Sequence, residues 1–567
     1  MVPVRHIVTG VFVCLGAGLA TFPLRAEPVA QHHMIAAANP LAAQAGLEML
    51  RAHGSAVDAA IAAQLVLTLV EPESSGIGGG AFLMLYDPAT KRVTSFDGRE
   101  TAPQSATPAM FLDATGKPRS HFDAIPGGLS VGVPGVVAML ELAHKRYGRL
   151  PWARLFEPAI ALADKGFPVG RKLAATLKAF PQMAQMPDVK RYFYKADGTP
   201  LGQGEILKNP ELANTLRIIA QNGARAFYSG DIASAIVAAV QHAPVNPGGM
   251  TLADLAAYSP RELEPVCGVY RLYRVCSMGP PSSGGVGVIQ ILSMLQRFAP
   301  SEVVPGTLDG THLFTQASRL AFADRAKYLG DASFVEVPVA GLLDRQYLAQ
   351  RAALIDPGHD MGTAQAGTPP EKHADYAPQR TPQLPGTSHL TAVDDEGEVI
   401  SLTTTVEFVF GSEVMAKGFF LNNELTDFSF EPTRNGIAVA NAPAPGKRPL
   451  SAMSPTLMFD RHGKFAISVG SPGGPVIIDY VAQAILAMVD GHLSAQEAAA
   501  LPHVANLNSP TLLEKGTPIE AIAPKLTAMG HTVRSVDLES GLHIIERVKG
   551  GYVGGADPRR DGIALGD

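Results

Sequence analysis

Residues 385–391 have the sequence PGTSHLT and lie well inside the chain, just ahead of a strand-turn-strand pattern. The run before them, 367–385, is rich in proline and polar residues, which predicts a surface loop. A Gly-Thr pair where a loop meets a strand indicates little by itself. The significance of Gly386-Thr387 therefore depends on the residues on its C-terminal side.

Four further runs come after Gly386-Thr387 in a fixed order. They are TTTVE at 403–407, NNELTDFS at 422–429, KRPLSAMSP at 447–455 and GSPGG at 470–474. Together these runs resemble the γ-glutamyltranspeptidase family of N-terminal-nucleophile hydrolases. The resemblance extends over nearly all of the chain after residue 26, and it includes SVGVPG at 130–135 and DRAKYLGD at 324–331.

The resemblance implies an α+β fold, a four-layer αββα sandwich. It also implies that the protein cuts its own Gly386–Thr387 bond, giving a large segment 27–386 and a small segment 387–567 within one interlocked domain. The freed Thr387 would be the nucleophile. Its α-amine, with a pKa of roughly 8 before the site perturbs it, supplies the base, so no histidine is required.

The resemblance also assigns the other catalytic groups. Thr405 matches a residue that hydrogen-bonds the nucleophile, although in isolation it would be an ordinary strand threonine. Gly473 and Gly474 match the glycines whose N–H groups form an oxyanion hole. A tight turn before a helix explains these glycines equally well, and the two interpretations are compatible because a helix start also favours an anion.

Substrate-binding residues are implied in the same way. Arg99 and Ser451 match groups that hold the substrate α-carboxylate, a role suited to a guanidinium. Glu424 and Asp427 match residues around the α-amino group. The alternatives are a surface salt bridge for Arg99 and carboxylates that only cap a turn for Glu424 and Asp427.

This sequence departs from the family pattern at three places. Ala452 replaces a second serine, which removes a hydroxyl from the carboxylate pocket. Glu407 stands where many members have asparagine, and it is expected to join the residues around the α-amino group. The segment 428–449 is too short for the tyrosine-bearing lid of other members, which predicts an open, wet site.

The function implied is a γ-glutamyl hydrolase or transpeptidase that acts on glutathione and related small γ-glutamyl donors. Water, amino acids or peptides would be the acceptors, and no cofactor or metal is expected. One alternative is a glutaryl or cephalosporin acylase with the same machinery. A more distant alternative is a non-catalytic periplasmic binding protein.

Composition limits the other possibilities. The 567 residues carry a net charge of −6, so nothing indicates a nucleic-acid surface. The apolar run 7–19 follows Arg5 and His6, which predicts a signal peptide over 1–26 and a periplasmic or secreted protein, with an uncleaved anchor as the alternative. The GIGGGA run at 76–81 has the residue spacing of a dinucleotide-binding fingerprint. It follows a helix and precedes a strand, however, so a tight glycine loop is the better interpretation.

Two cysteines remain outside the predicted signal, Cys267 and Cys276. The aromatic and β-branched residues between them predict a hairpin. If Arg271-Leu272 is its two-residue turn, the cysteines lie opposite each other at disulfide distance. Two buried thiols are the alternative. Elsewhere the pattern predicts a helix over 55–70 with Ser55 and Asp58 as its capping box, helices over 317–329 and 477–489, and strands over 388–393 and 399–406.

Overall fold

The computed structural model describes residues 29–379 and 386–567. The predicted signal peptide and the residues just before Gly386 lie outside the described part of the chain. Within that part, no helix has both the length and the apolar character needed to cross a membrane.

The strands of the described chain belong mostly to two large sheets. They are β1 Met34–Ala37, β2 Gly80–Asp87, β3 Arg92–Gly98, β4 Phe167–Pro168, β5 Ile206–Leu207, β6 Arg261–Leu263, β7 Val266–Tyr270, β8 Tyr273–Ser277, β9 Ser388–Val393, β10 Val399–Thr405, β11 Met415–Ala416, β12 Phe419–Phe420, β13 Thr433–Arg434, β14 Ile437–Ala438, β15 Thr456–Phe459, β16 Phe465–Gly470, β17 Val504–Ala505, β18 Thr511–Glu514, β19 Val533–Val536, β20 His543–Val548, β21 Gly551–Ala556 and β22 Ile563–Gly566.

Helices alternate with these strands along the described chain. They are α1 Pro40–Arg51, α2 Ala56–Val70, α3 His121–Ala124, α4 Val136–Tyr147, α5 Glu157–Lys165, α6 Arg171–Ala179, α7 Pro187–Phe193, α8 Pro210–Asn222, α9 Arg225–Tyr228, α10 Gly230–Gln241, α11 Leu252–Ala257, α12 Gly284–Leu295, α13 Leu308–Tyr328, α14 Val339–Leu342, α15 Arg345–Ala352, α16 Ile477–Val489, α17 Ala495–Ala500 and α18 Ala523–Ala528.

Both large sheets are antiparallel and combine strands from the two sides of Gly386. The first has seven strands in the order β22-β1-β9-β10-β2-β3-β6. The second has six in the order β21-β20-β16-β15-β8-β7. The two sheets pack against each other, with β10 near β16 and β9 near β20.

The period-2 pattern of a strand explains the layers. Leu83 and Leu85 of β2 join a core with α1, α2 and α4, whereas Phe82 and Met84 point the opposite way, into the core shared with the second sheet. Helices α12, α13 and α16 cover the far side of that second core. The order helix, sheet, sheet, helix confirms the predicted αββα sandwich.

Local signals located some elements better than others. The predicted capping box of α2 is present, since Ser55 accepts from the Asp58 N–H at 3.1 Å and Asp58 accepts from the Ser55 N–H at 3.0 Å. Strand β9 and helix α16 have their predicted bounds. The predicted start of α13 at residue 317 is wrong. The helix begins at Leu308, where the Thr307 hydroxyl caps the Gly310 N–H.

The hairpin β7–β8 carries the predicted disulfide. Its register pairs Tyr270 with Tyr273 and Cys267 with Cys276, around a turn at Arg271 and Leu272. The cysteine Cα atoms are 4.1 Å apart and the sulfurs are bonded. The disulfide, rather than two thiols, is therefore the correct interpretation.

We expect thiol labelling of the unreduced, denatured protein to leave Cys267 and Cys276 unmodified. Reduction should lower the free energy of unfolding by at most about 3 kcal/mol, because the closed loop is short. Peptide mapping of a reduced sample, in which both cysteines react, is the control. Labelling of both positions without reductant would contradict the bridge.

Candidate active site

Thr387 lies at the start of β9, next to the end of β10. The antiparallel register pairs Ser388 with Thr404, so Thr405 lies beside Thr387. The Thr387 hydroxyl donates to the Thr405 hydroxyl at 3.1 Å, and the Glu407 N–H donates to the same Thr405 oxygen at 2.8 Å. The structure thus brings the two predicted threonines into direct contact.

The backbone at the Gly386–Thr387 junction is unusual. Thr387 has φ +93°, a region that a β-branched residue rarely adopts. Its N–H donates to the Ser74 carbonyl at 3.1 Å, and its carbonyl accepts from the Arg560 guanidinium at 3.1 Å. A Cβ added to Gly386 would lie 1.7 Å from the Glu407 carbonyl oxygen, so only glycine fits there. Strain of this kind persists only where surrounding contacts impose it, and it is concentrated at functional sites.

Gly473 and Gly474 lie in the loop between β16 and α16. Both have positive φ, +136° and +61°, and Gly474 opens a 3₁₀ turn, Gly474–Val476, that leads into the helix. A Cβ on Gly473 would lie 2.7 Å from the Tyr480 ring. Gly474 lines the same cavity as Thr387. The tight turn before a helix is therefore present, and it adjoins the threonine.

Arg99 follows β3 and is only 1% exposed, so the alternative of a surface salt bridge is wrong. Its guanidinium pairs with Glu424 and, at 2.5 Å, with Asp427. It also donates to the carbonyls of Pro449 at 3.1 Å and Leu450 at 3.0 Å. Burial lowers the pKa of Arg99, but Glu424 and Asp427 raise it above its ordinary value overall. Arg99 therefore remains a cation in the core of the site.

Glu424 and Asp427 lie at the two ends of a 3₁₀ turn, where side chains three apart share a face. Burial raises the pKa of Glu424 to about 7, and it raises that of Asp427 as well. Glu407 accepts from the Asn423 amide, and its pKa is raised well above the ordinary value by burial and by Asp427 and Glu424. The predicted acids converge, but two of them contact Arg99 directly rather than forming a separate subsite.

Ser451 and Ala452 lie in the segment that leads into β15, and both line the cavity. The Ser451 hydroxyl accepts from the Met453 N–H at 3.1 Å. Ala452 is buried. The position that carries a second serine in other members is therefore in the wall of the cavity. Here the Ala452 methyl group occupies it and offers no hydrogen bond.

The cavity enclosed by these residues is small, about 20 Å³, which is room for about one water. Thr387 is 4% exposed and Arg99 is 1% exposed. The predicted open, wet site is therefore wrong for this state. Arg99 and its partners Glu424 and Asp427 all line this cavity and occupy its space.

Sequence reasoning missed three residues at this site. Ser74 and Arg560 hold the N–H and the carbonyl of Thr387, and Glu100 lies fully buried next to Arg99 and Glu424. Burial and Glu424 raise the pKa of Glu100 well above its ordinary value. None of the three lies in a chemical pattern that reveals its role from the sequence.

The αββα sandwich, with Thr387 directly before the inner strand β9, is the arrangement of the N-terminal-nucleophile hydrolases. The family model described as gamma-glutamyltranspeptidase matches residues 42–567. The chain belongs to the γ-glutamyltranspeptidase family, and it is an enzyme.

Individual relatives agree with this assignment. A glutathione hydrolase proenzyme of Bacillus subtilis (strain 168) is 38% identical over 550 residues, which cover 95% of this chain and 92% of the relative. An ACY 1 acylase proenzyme of Pseudomonas sp. (strain SE83) is 34% identical and covers 96% of both chains. The crystal structure of a cephalosporin acylase from Bacillus halodurans matches with a TM-score of 0.82 at 29% identity, over 98% of this chain and 99% of that one.

Proposed function

We propose that the chain cuts itself between Gly386 and Thr387 and then hydrolyses or transfers γ-glutamyl groups through Thr387. The segments 27–386 and 387–567 then remain together as a heterodimer. The strained Thr387 backbone and the tight contacts at Gly386 support this proposal, because they concentrate distortion at the bond to be cut. The name proenzyme, given to the Bacillus subtilis relative, also supports it.

In the cut enzyme the Thr387 α-amine accepts the proton of its own hydroxyl while Oγ attacks the γ-carbonyl of the donor. Thr405 hydrogen-bonds Oγ and holds it in place. The N–H groups of Gly473 and Gly474 stabilise the oxyanion, a contribution of about 3–4 kcal/mol per donor. The bond from the γ-carbon to the donor's amide nitrogen then breaks, and the leaving amine takes the proton from the Thr387 ammonium. The γ-glutamyl ester that remains on Thr387 is opened by water or by the amine of an amino acid or peptide.

The observation that carries the substrate assignment is the set of buried acids around Arg99. Glu407, Glu424 and Asp427 line one cavity with Thr387, Arg99 and Ser451. Buried carboxyl groups in excess of the neighbouring cations either stay protonated or ionise beside a cationic partner. The α-ammonium of a γ-glutamyl donor supplies that partner, and its α-carboxylate supplies one for Arg99 and Ser451.

Donor binding then requires an exchange of ion pairs. A γ-glutamyl group is far larger than the cavity of about 20 Å³, and Arg99 is already paired with Glu424 and Asp427. We infer that the acids move from Arg99 to the substrate ammonium, which leaves Arg99 free to bind the α-carboxylate. Ala452 offers no hydroxyl to that carboxylate, so we expect a higher KM for the donor and little effect on kcat.

An acylase for glutaryl or cephalosporin side chains is the second candidate. The similarity to the Pseudomonas acylase and to the Bacillus halodurans structure favours it. A glutaryl group has the carboxylate but lacks the α-amine. It would leave the buried acids without their partner, so the γ-glutamyl assignment is the better supported of the two.

We also propose that the protein is exported to the periplasm or beyond. The apolar segment within 1–26 supports this proposal, as does the disulfide between Cys267 and Cys276, because disulfides persist in oxidising compartments.

The experiment for this function is incubation of the purified protein with glutathione and with a γ-glutamyl anilide. We expect glutamate from the first and free aniline from the second, and an added dipeptide should capture part of the γ-glutamyl group. The absence of product from both donors, in protein that a denaturing gel shows to be cut, would contradict the assignment.

A further inference from the structure

The Gly386–Thr387 bond lies between two cavities. Thr387 lines the small cavity described above, whereas Gly386 lines a second one of about 280 Å³. The charged residues in the wall of the second cavity are Glu73, Lys172, Glu539 and Arg560. Its volume accommodates several water molecules. Water can therefore reach the carbonyl side of this bond from a space that the donor site does not use.

Glu73 is the unusual member of this wall. It lies in the loop between α2 and β2 and is 1% exposed, yet within the described chain neither of its carboxyl oxygens has a hydrogen-bond partner. The backbone around it is fixed, because its carbonyl accepts from the Phe410 N–H at 3.1 Å. The next residue, Ser74, holds the Thr387 N–H. Glu73 thus lines the cavity beside Gly386, and it carries a buried carboxyl group that has no hydrogen-bond partner in the described chain.

The other charged groups of this wall are already paired. Lys172 pairs with Glu539, and Glu71, next to the cavity, accepts from the Ser388 hydroxyl at 2.6 Å and faces Arg560 at 3.5 Å. Burial raises the pKa of Glu539, but Arg560 and Lys172 bring it below its ordinary value. Glu73 differs, since burial, together with Glu71, raises its pKa to about 8. Among the charged groups of this wall, Glu73 has a carboxyl group without a hydrogen-bond partner and a basicity matched to proton transfer.

We propose that Glu73 is the general base of the second step of self-cleavage, in which water opens the ester between Gly386 and Thr387. This inference rests on the self-cleavage proposed above. The water oxygen bonds to the Gly386 carbonyl carbon while Glu73 takes the water proton. The bond from that carbon to Thr387 Oγ then breaks, and Oγ takes the proton from Glu73. Gly386 becomes a terminal carboxylic acid that ionises.

The test measures self-cleavage of the full chain made by cell-free translation, with a short labelled pulse and a chase at pH values from 6 to 9. In the wild type we expect the loss of precursor to accelerate with rising pH up to about pH 8, because Glu73 acts as the ionised carboxylate. Glu73→Gln should cleave roughly 10²-fold more slowly and lose this dependence. The Thr387 α-amine, which is free once the ester has formed, titrates in the same range. Its titration would remain in Glu73→Gln, so loss of the pH dependence in that variant assigns the dependence to Glu73.

Glu398→Gln is the matched control. Burial raises the Glu398 pKa to about 8 as well, but this carboxyl accepts from the Val57 N–H at 3.3 Å and is not among the residues of the second cavity. It should cleave like the wild type. Glu73→Asp, which retains a carboxylate, should cleave faster than Glu73→Gln and keep a pH dependence.

Each outcome separates the two proposals. A wild type that is never cut between Gly386 and Thr387 overturns both. A wild type that is cut, with a Glu73→Gln variant of equal rate, overturns the role of Glu73 alone. A slow Glu73→Gln variant that retains the wild-type pH profile, or a Glu73→Asp variant that is no faster, shows a structural role and also overturns the proposal.

Discussion

Thr387→Ala remains a single chain and loses at least roughly 10⁴-fold in γ-glutamyl hydrolysis, since removal of a nucleophile typically costs that much or more. The variant has no Oγ to attack Gly386, and without a cut the α-amine stays locked in the amide. The substitution therefore prevents both the self-cleavage and the hydrolysis of the donor. A denaturing gel and an anilide assay of the same preparation measure both effects.

Thr387→Ser is the control for this substitution because it retains a hydroxyl at the same position. It should be cut into two fragments, although more slowly, and it should keep measurable activity. A Thr387→Ala protein that is cut normally would show that another residue performs the cleavage.

The second large effect concerns the donor. We expect a γ-glutamyl anilide to exceed a glutaryl anilide in kcat/KM by about 10³–10⁴-fold, because a buried site built for a polar group rejects the analogue that lacks it. A glutaryl donor whose carboxylate takes Arg99 would separate Glu424 and Asp427 from their cation and would supply no ammonium in exchange. The enclosed cavity raises this expectation above the weaker discrimination that an open, wet site would give.

Substitution of one acid tests the physical reason. Glu424→Gln removes a carboxylate but keeps the shape of the side chain. It should reduce the preference for the γ-glutamyl donor by about 10-fold or more, mainly by lowering kcat/KM for that donor. Glu398→Gln, which changes a buried acid outside the cavity, should leave the ratio unchanged. Equal or better use of the glutaryl donor by the wild type would favour the acylase.

The sequence was sufficient where a feature depends on neighbours along the chain. The capping box of Ser55 and Asp58, the bounds of β9 and the hairpin register that joins Cys267 to Cys276 arise from short patterns. The start of α13 was missed because its cap, Thr307, lies ahead of the most apolar part of the helix.

Contacts between distant parts of the chain could not be predicted in the same way. The residues around the cavity were identified by resemblance, but the direct pairing of Arg99 with Glu424 and Asp427 was not. It joins residues more than 300 positions apart, and no periodicity encodes it. Ser74 holds Thr387 through a backbone carbonyl, which every residue has, so its side chain gives no signal. The closed cavity was missed for the same reason, since it depends on how these groups pack.

The most direct test is mass spectrometry of the enzyme quenched during turnover of a slow γ-glutamyl donor. We predict a peptide that begins at Thr387 with a free α-amine and carries one γ-glutamyl group on its first residue. A label on any other residue, or a labelled peptide in which Thr387 is still joined to Gly386, would contradict the assignment of Thr387 as the N-terminal nucleophile.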